Sequence, residues 1–169
     1  MKLIFLDIDG VFNSEKYYVQ RANFTVREEA KEFDPECVGY FNTIIAETGA
    51  DIVVSSTWRR GDLNYLQDLF KTVGINGNVV GETAKLRWNC DYPGVSINRG
   101  TEIQHYYAAK HDFVHYDWKE NDSELKSYVI IDDDGDMLYE QRNNFVQTSN
   151  LVGLTKKDAA KAVLILNKE

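Results

Sequence analysis

Residues 3–14 read LIFLDIDGVFNS. An apolar run leads straight into Asp7, with Asp9 one residue further on and Gly10 behind it. Strand interiors disfavour Asp, and two close carboxylates repel each other. Acids at the end of a buried strand call for a nearby positive charge, and open parallel sheets bind their ligands at that end.

Other segments repeat the pattern of a short apolar run. KLIFLD (2–7), DIVVSS (51–56), NVVGE (78–82), SYVIID (127–132) and NFVQTS (144–149) are predicted strands of the kind buried on both faces. Helical signals fall between them. Asp34 and Pro35 open a helix that Gly49 closes, and Asp62 and Gly74 bracket a second whose Leu63, Leu66, Leu69, Phe70 and Val73 share one face. RGTEIQHYYAAKH (99–111) reads as a third, and Thr155 with Asp158 as the capping box of a fourth. Strand–helix alternation predicts an α/β domain with a parallel sheet. Stretches 12–33 and 83–98 fit no regular element, and loops of that length inside a compact domain are often functional.

A chain of 169 residues suits one domain, 1–169, with one sizeable core, and a hydrophobic fraction of 43% excludes a disordered composition. No apolar stretch approaches the ~20 residues of a membrane helix, and no signal peptide is evident, so a cytoplasmic protein with no membrane partner is expected. Cys37 and Cys90 lie far apart, outside any metal-ligating spacing. A net charge of −8 argues against nonspecific binding along nucleic acid, yet leaves room for one anionic group held at a single site.

Polar chemistry gathers at three predicted strand ends. The first carries Asp7 and Asp9, the second Ser55, Ser56 and Thr57 followed by Trp58, Arg59 and Arg60, and the fourth Asp132, Asp133, Asp134 and Asp136. If the first and fourth strands are neighbours, two acidic clusters meet. A carboxylate pair at ~4 Å costs on the order of 4 kcal/mol at an effective dielectric of 20. Either some carboxyls keep their protons or a hard, oxygen-seeking cation such as Mg²⁺ sits between them. Read as a calcium loop, DDDGD fails: its sixth position is Met137 and its twelfth Asn143. Trp58 is either core packing or a platform for a base. His105, His111 and His115 form no evident ligand set.

Together, DIDGV, DIVVS, Arg99 near a helix start and VIIDDDGD resemble the four motifs of the haloacid dehalogenase (HAD) superfamily of phosphohydrolases. FLDIDGVFN, VVSSTWR, RGTEI and IIDDDGDM are similar, more narrowly, to the phosphatase domains of multidomain nucleic-acid repair proteins. The resemblance implies a Rossmann-like three-layer sandwich, a parallel sheet of about five strands in the order 5-4-1-2-3, and a small or absent cap. It implies that Asp7 is the nucleophile and Asp9 the acid–base group, used once in each half-reaction. Mg²⁺ would be held by the Asp7 carboxylate, the Asp9 backbone carbonyl, Asp132 and Asp133, with Asp136 a rival for the last place. Ser55 would bond a phosphoryl oxygen, and Arg99 would neutralise phosphoryl charge, with Lys85, Arg87 and Arg59 as competitors. Gly10, Ser56, Thr57, Trp58 and Arg59 complete the expected substrate-binding set.

The expected substrate is a phosphate ester at an uncovered site, either a nucleotide or a nucleic-acid end. Tyr17, Tyr18, Phe24, Trp58, Trp88 and Tyr92 are candidates for stacking on a base. A sugar phosphate or a phosphorylated protein is the alternative within the same chemistry. A non-catalytic phosphate- or Mg²⁺-binding module is the alternative outside it.

Overall fold

In a computed structural model of the chain, residues 1–21, 29–60, 62–86, 97–111 and 125–168 are described. The sheet contains β1 (Lys2–Leu6), β2 (Asp51–Val54), β3 (Val79–Glu82), β4 (Ser127–Asp132) and β5 (Phe145–Gln147). All four strand pairings are parallel, in the order β3-β2-β1-β4-β5. Read from the other edge this is the expected 5-4-1-2-3, and β1 lies between β2 and β4. The acids at the ends of β1 and β4 are therefore neighbours.

Among the described residues five α-helices accompany the sheet: α1 (Glu15–Gln20), α2 (Pro35–Thr48), α3 (Leu63–Thr72), α4 (Arg99–His111) and α5 (Lys156–Leu166). The starts of α2, α3 and α5 follow the predicted signals. Asp34 accepts from the Glu36 N–H, Asp62 from those of Asn64 and Tyr65, and Thr155 forms a reciprocal capping box with Asp158. Gly49 ends α2 in the left-handed conformation at φ 61°.

The two faces of the sheet differ. Ile4, Leu6, Ile52, Val54, Val129 and Ile131 point into the larger core with α2, α3 and α5. Leu3, Phe5, Val53 and Ile130 point the other way, toward Ile103 of α4. Alternation along each strand produces the split, since successive side chains leave on opposite faces. Each fully buried Ile or Leu contributes about 1.5–3 kcal/mol relative to exposure. Asp7 follows Leu6 and so takes the face that carries α4.

The segment 12–33, expected to be irregular, contains α1 and a 3-10 turn at Glu29–Glu32. Neither buries a residue, so neither leaves an apolar period in the sequence. Helix α1 is instead started by Ser14, whose hydroxyl accepts from the Tyr17 N–H. The described part of the β1–β2 connection thus holds short elements and α2, in keeping with a small or absent cap. Among the described residues no helix is long and apolar enough to cross a membrane.

Candidate active site

At the carboxyl ends of β1 and β4, one carboxylate oxygen from each of Asp7, Asp132 and Asp133 lies within 4.8 Å of the others. Asp7 and Asp132 are buried, at 7% and 2% exposure, so water cannot screen their repulsion. Burial pushes the Asp7 carboxyl up, against the pull of a Ser56 hydrogen bond and the Arg99 charge. Burial also raises Asp132, and the Asp7 charge adds to it. Asp133 is raised by burial and by Asp134.

This donor set fits a hard divalent cation. All three side chains offer oxygen, and the buried Asp7 Oδ1 has no hydrogen-bond partner among the described residues. A cation there would remove the cost of ionising the three together. Gly10 makes room for the cluster. Its φ is +67°, and a Cβ placed on it would come within 2.2 Å of the Asp133 carboxyl carbon. Its N–H donates to Asn13 Oδ1 and its carbonyl accepts from Thr148, so Gly10 shapes the loop and has no free N–H for a phosphate.

Arg99 supplies positive charge from the start of α4. Nη2 lies 3.9 Å from Asp7 Oδ1, Nε 3.6 Å from Asp132 Oδ2, and Nη1 donates to Glu102 Oε2 at 3.1 Å. Of its expected competitors, Lys85 is half-buried and in no described ion pair with the cluster, and Arg87 lies outside the described residues. The rival acid Asp136 accepts from the Arg99 N–H at 3.0 Å and so caps α4.

Arg59 departs most from its expected place. It is 2% exposed, with its guanidinium donating to the Ser56, Thr83 and Ala84 carbonyls, the Thr83 hydroxyl and Glu102 Oε2. Among the described residues, the bonds of its guanidinium all go to groups inside the protein. Glu102, fully buried, accepts from Arg59 and Arg99 through the same oxygen. A glutamate three residues after Arg99 was the available signal, since i and i+3 share a helix face.

The hydroxyls after β2 divide. Ser55 Oγ lies 3.2 Å from Thr83 Oγ1, whereas Ser56 Oγ accepts from the Trp58 N–H and Ser56 pulls the Asp7 pKa down. Both are buried. Thr57 is exposed and donates to Asp9 Oδ2 at 3.3 Å.

Asp9 is half-buried and ringed by donors. Asn13 Nδ2 reaches Oδ1 at 2.9 Å, and Trp58 Nε1 reaches Oδ2 at 3.0 Å. Trp58 also packs edge-on against Phe33, with ring centroids 5.7 Å apart. Its two expected roles, packing or base platform, leave out the indole N–H. Asn13 carried no expectation, although it follows Asp9 by four residues within the same turn.

Tyr17 and Tyr18 lie on α1 beside this face, and Tyr18 is 44% exposed with its hydroxyl near Glu32. His105 is exposed, away from the acids. Phe24, Trp88, Cys90, Tyr92 and His115, with the side chain of His111, lie outside the described residues.

Neither the curated proteins nor the solved structures contain a significant match to the chain. A family model does match, over residues 3–159, a range that runs from within β1 into α5 and takes in all of the site. By that match the chain belongs to the HAD-domain family described as the HAD domain in Swiss Army Knife RNA repair proteins.

Proposed function

We propose that the protein is a Mg²⁺-dependent phosphomonoesterase that forms an aspartyl-phosphate on Asp7, with a nucleotide or a nucleic-acid terminal phosphate as substrate. The observation that carries this reading is the placement of Arg99 beside both Asp7 and Asp132, at the end of the sheet where Asp9 is presented. A nucleophilic carboxylate, a fixed cation and a second carboxyl group at hand are what phosphoryl transfer to and from an aspartate requires.

Asp7 attacks phosphorus and Arg99 balances charge on the phosphoryl oxygens. Ser55 and Ser56 offer hydroxyls to orient those oxygens, and Ser56 offsets part of the upward push that burial exerts on the Asp7 carboxyl. Asp9 protonates the departing oxygen and then takes a proton from the attacking water. A divalent ion held by the Asp7 and Asp133 carboxylates, Asp132 and the Asp9 carbonyl would neutralise phosphoryl charge and let the clustered acids ionise together.

The preference for a nucleotide or nucleic-acid end rests on the family's description and on the small structures over the site. The net charge of −8 favours recognition of a terminal phosphate over grip along a polymer. The test is a substrate panel of mononucleotides, 3′- and 5′-phosphorylated oligoribonucleotides and oligodeoxyribonucleotides, a sugar phosphate and a phosphopeptide, with Mg²⁺ or with EDTA. Selective, EDTA-sensitive turnover of the nucleotide or nucleic-acid members is expected. Equal rates across the panel would remove the substrate assignment. Phosphate binding without turnover of any ester would instead favour the non-catalytic module.

A further inference from the structure

We propose that Trp58 is a positioning residue for Asp9, turning the acid proton of that carboxyl toward the leaving-group oxygen. Granted the phosphatase reading on which this rests, Trp58 acts in the first half-reaction without touching the phosphoryl group. The directions of the hydrogen bonds carry the assignment. The Asn13 amide is oriented by the Gly10 N–H, which donates to its Oδ1, so the NH₂ group faces Asp9 Oδ1. An indole N–H is a donor only, and Trp58 presents it to Asp9 Oδ2 at 3.0 Å. Neither group can accept a proton. An O–H on Asp9 is therefore excluded from both of these directions and is left to point outward or to the exposed Thr57 hydroxyl, which is at the longer distance of 3.3 Å.

The donor is held by the protein and not by solvent. Phe33 meets the Trp58 ring edge-on, and Phe33 in turn contacts Phe12 and Phe70 of the core. The Trp58 backbone N–H donates to Ser56 Oγ, which fixes the start of the ring's side chain to the buried stretch just after β2. In the first step a bond forms between a carboxylate oxygen of Asp7 and phosphorus. The bond from phosphorus to the ester oxygen breaks, and its electron pair takes the Asp9 proton. In the second step Asp9 removes a proton from water, whose oxygen displaces Asp7 from phosphorus and restores both side chains.

Trp58→Phe keeps a ring against Phe33 and deletes the N–H. The experiment measures kcat/KM for a series of phosphate monoesters, from dinitrophenyl through nitrophenyl and phenyl to alkyl, in wild type and variant. This parameter reads the first half-reaction, because release of the alcohol is irreversible under initial-rate conditions. Alkyl and phenyl esters need the proton, so the variant should lose about tenfold or more on them, with the loss shrinking as the leaving group becomes more acidic. Comparing esters within one preparation cancels any change in the folded fraction. Trp58→His, which restores an N–H on a ring, should flatten the dependence again. A loss of equal size on every ester, or no loss on any, would overturn the role of Trp58 while leaving the phosphatase reading standing. A wild-type protein that turns over none of the esters would remove both.

Discussion

Nη2 of Arg99 stands 3.9 Å from Oδ1 of Asp7, and both side chains are buried. The distance is too long for a direct hydrogen bond and short enough for strong Coulomb attraction in a site that excludes water. Arg99 is thus placed to meet charge that develops beside Asp7. Arg99→Ala should lower kcat/KM by about 10²–10³-fold, the usual loss when a preorganised donor is removed. Arg99→Lys should recover part of it, since a lysine restores the charge but not the planar contact with both Asp7 and Glu102. Steady-state kinetics on one ester decides this. Full activity in Arg99→Ala would exclude Arg99 as the phosphoryl cation.

Glu102 should matter for stability first. It is fully buried, and its Oε2 receives Arg59 at 2.9 Å and Arg99 at 3.1 Å. Taking away its charge leaves two guanidinium groups poorly compensated, so Glu102→Gln should destabilise the fold by about 3 kcal/mol. Chemical denaturation at matched pH reads the change. A variant with an unchanged midpoint would show that the other acceptors of Arg59 suffice.

Gly10→Ala tests the packing of the acid cluster. The new methyl would overlap the Asp133 carboxyl, and φ +67° would strain the alanine by roughly 1–2 kcal/mol. Displacement of Asp133 should weaken Mg²⁺ binding in a titration calorimeter. Unaltered affinity would place Asp133 outside the cation's ligands.

Stability should depend on pH through the acids themselves. Burial raises the folded-state pKa of Asp7 to about 6 and, with the Asp7 charge beside it, that of Asp132 to about 8, from 3.8. A raised carboxyl pKa means that the folded state binds more protons than the unfolded state, so this contribution is complete below about pH 4 and lost as pH rises through these folded values. In EDTA, the midpoint should therefore fall as pH rises from about 5 to about 8. Mg²⁺ should raise it, and by more at the alkaline end, where binding displaces fewer protons. Thermal melts across that range check both statements. A Mg²⁺ effect that is absent at every pH would contradict the assigned ligands.

Much of this molecule was legible in the residues because the signals were local or periodic. The strands were short apolar runs, and Asp34, Asp62 and Thr155 cap the helices that their positions predicted. Helix α1 escaped because none of its six residues is buried, so it leaves no apolar stripe. The meeting of Asp7 with Asp132 and Asp133 was foreseeable once β1 and β4 were neighbours. The burial of Arg59 was not legible because an arginine before a helix ordinarily faces water, and its partner Glu102 comes from an element 43 residues later in the chain. The bond between Trp58 and Asp9 spans 49 residues and depends on a ring orientation set by Phe33, which no spacing rule encodes. Caps and strand ends are written in adjacent residues. Which donor faces which acceptor is settled only by packing.

In the proposed mechanism Asp7 carries the phosphoryl group between two half-reactions. The most direct test quenches the enzyme during turnover of a phosphate ester, reduces it with borohydride and maps its peptides by mass spectrometry. An acyl phosphate on aspartate is reduced to homoserine. Homoserine is expected at position 7 during turnover, none without substrate, and neither homoserine nor turnover in Asp7→Asn. Sustained turnover with position 7 never converted, or full activity in Asp7→Asn, would contradict it.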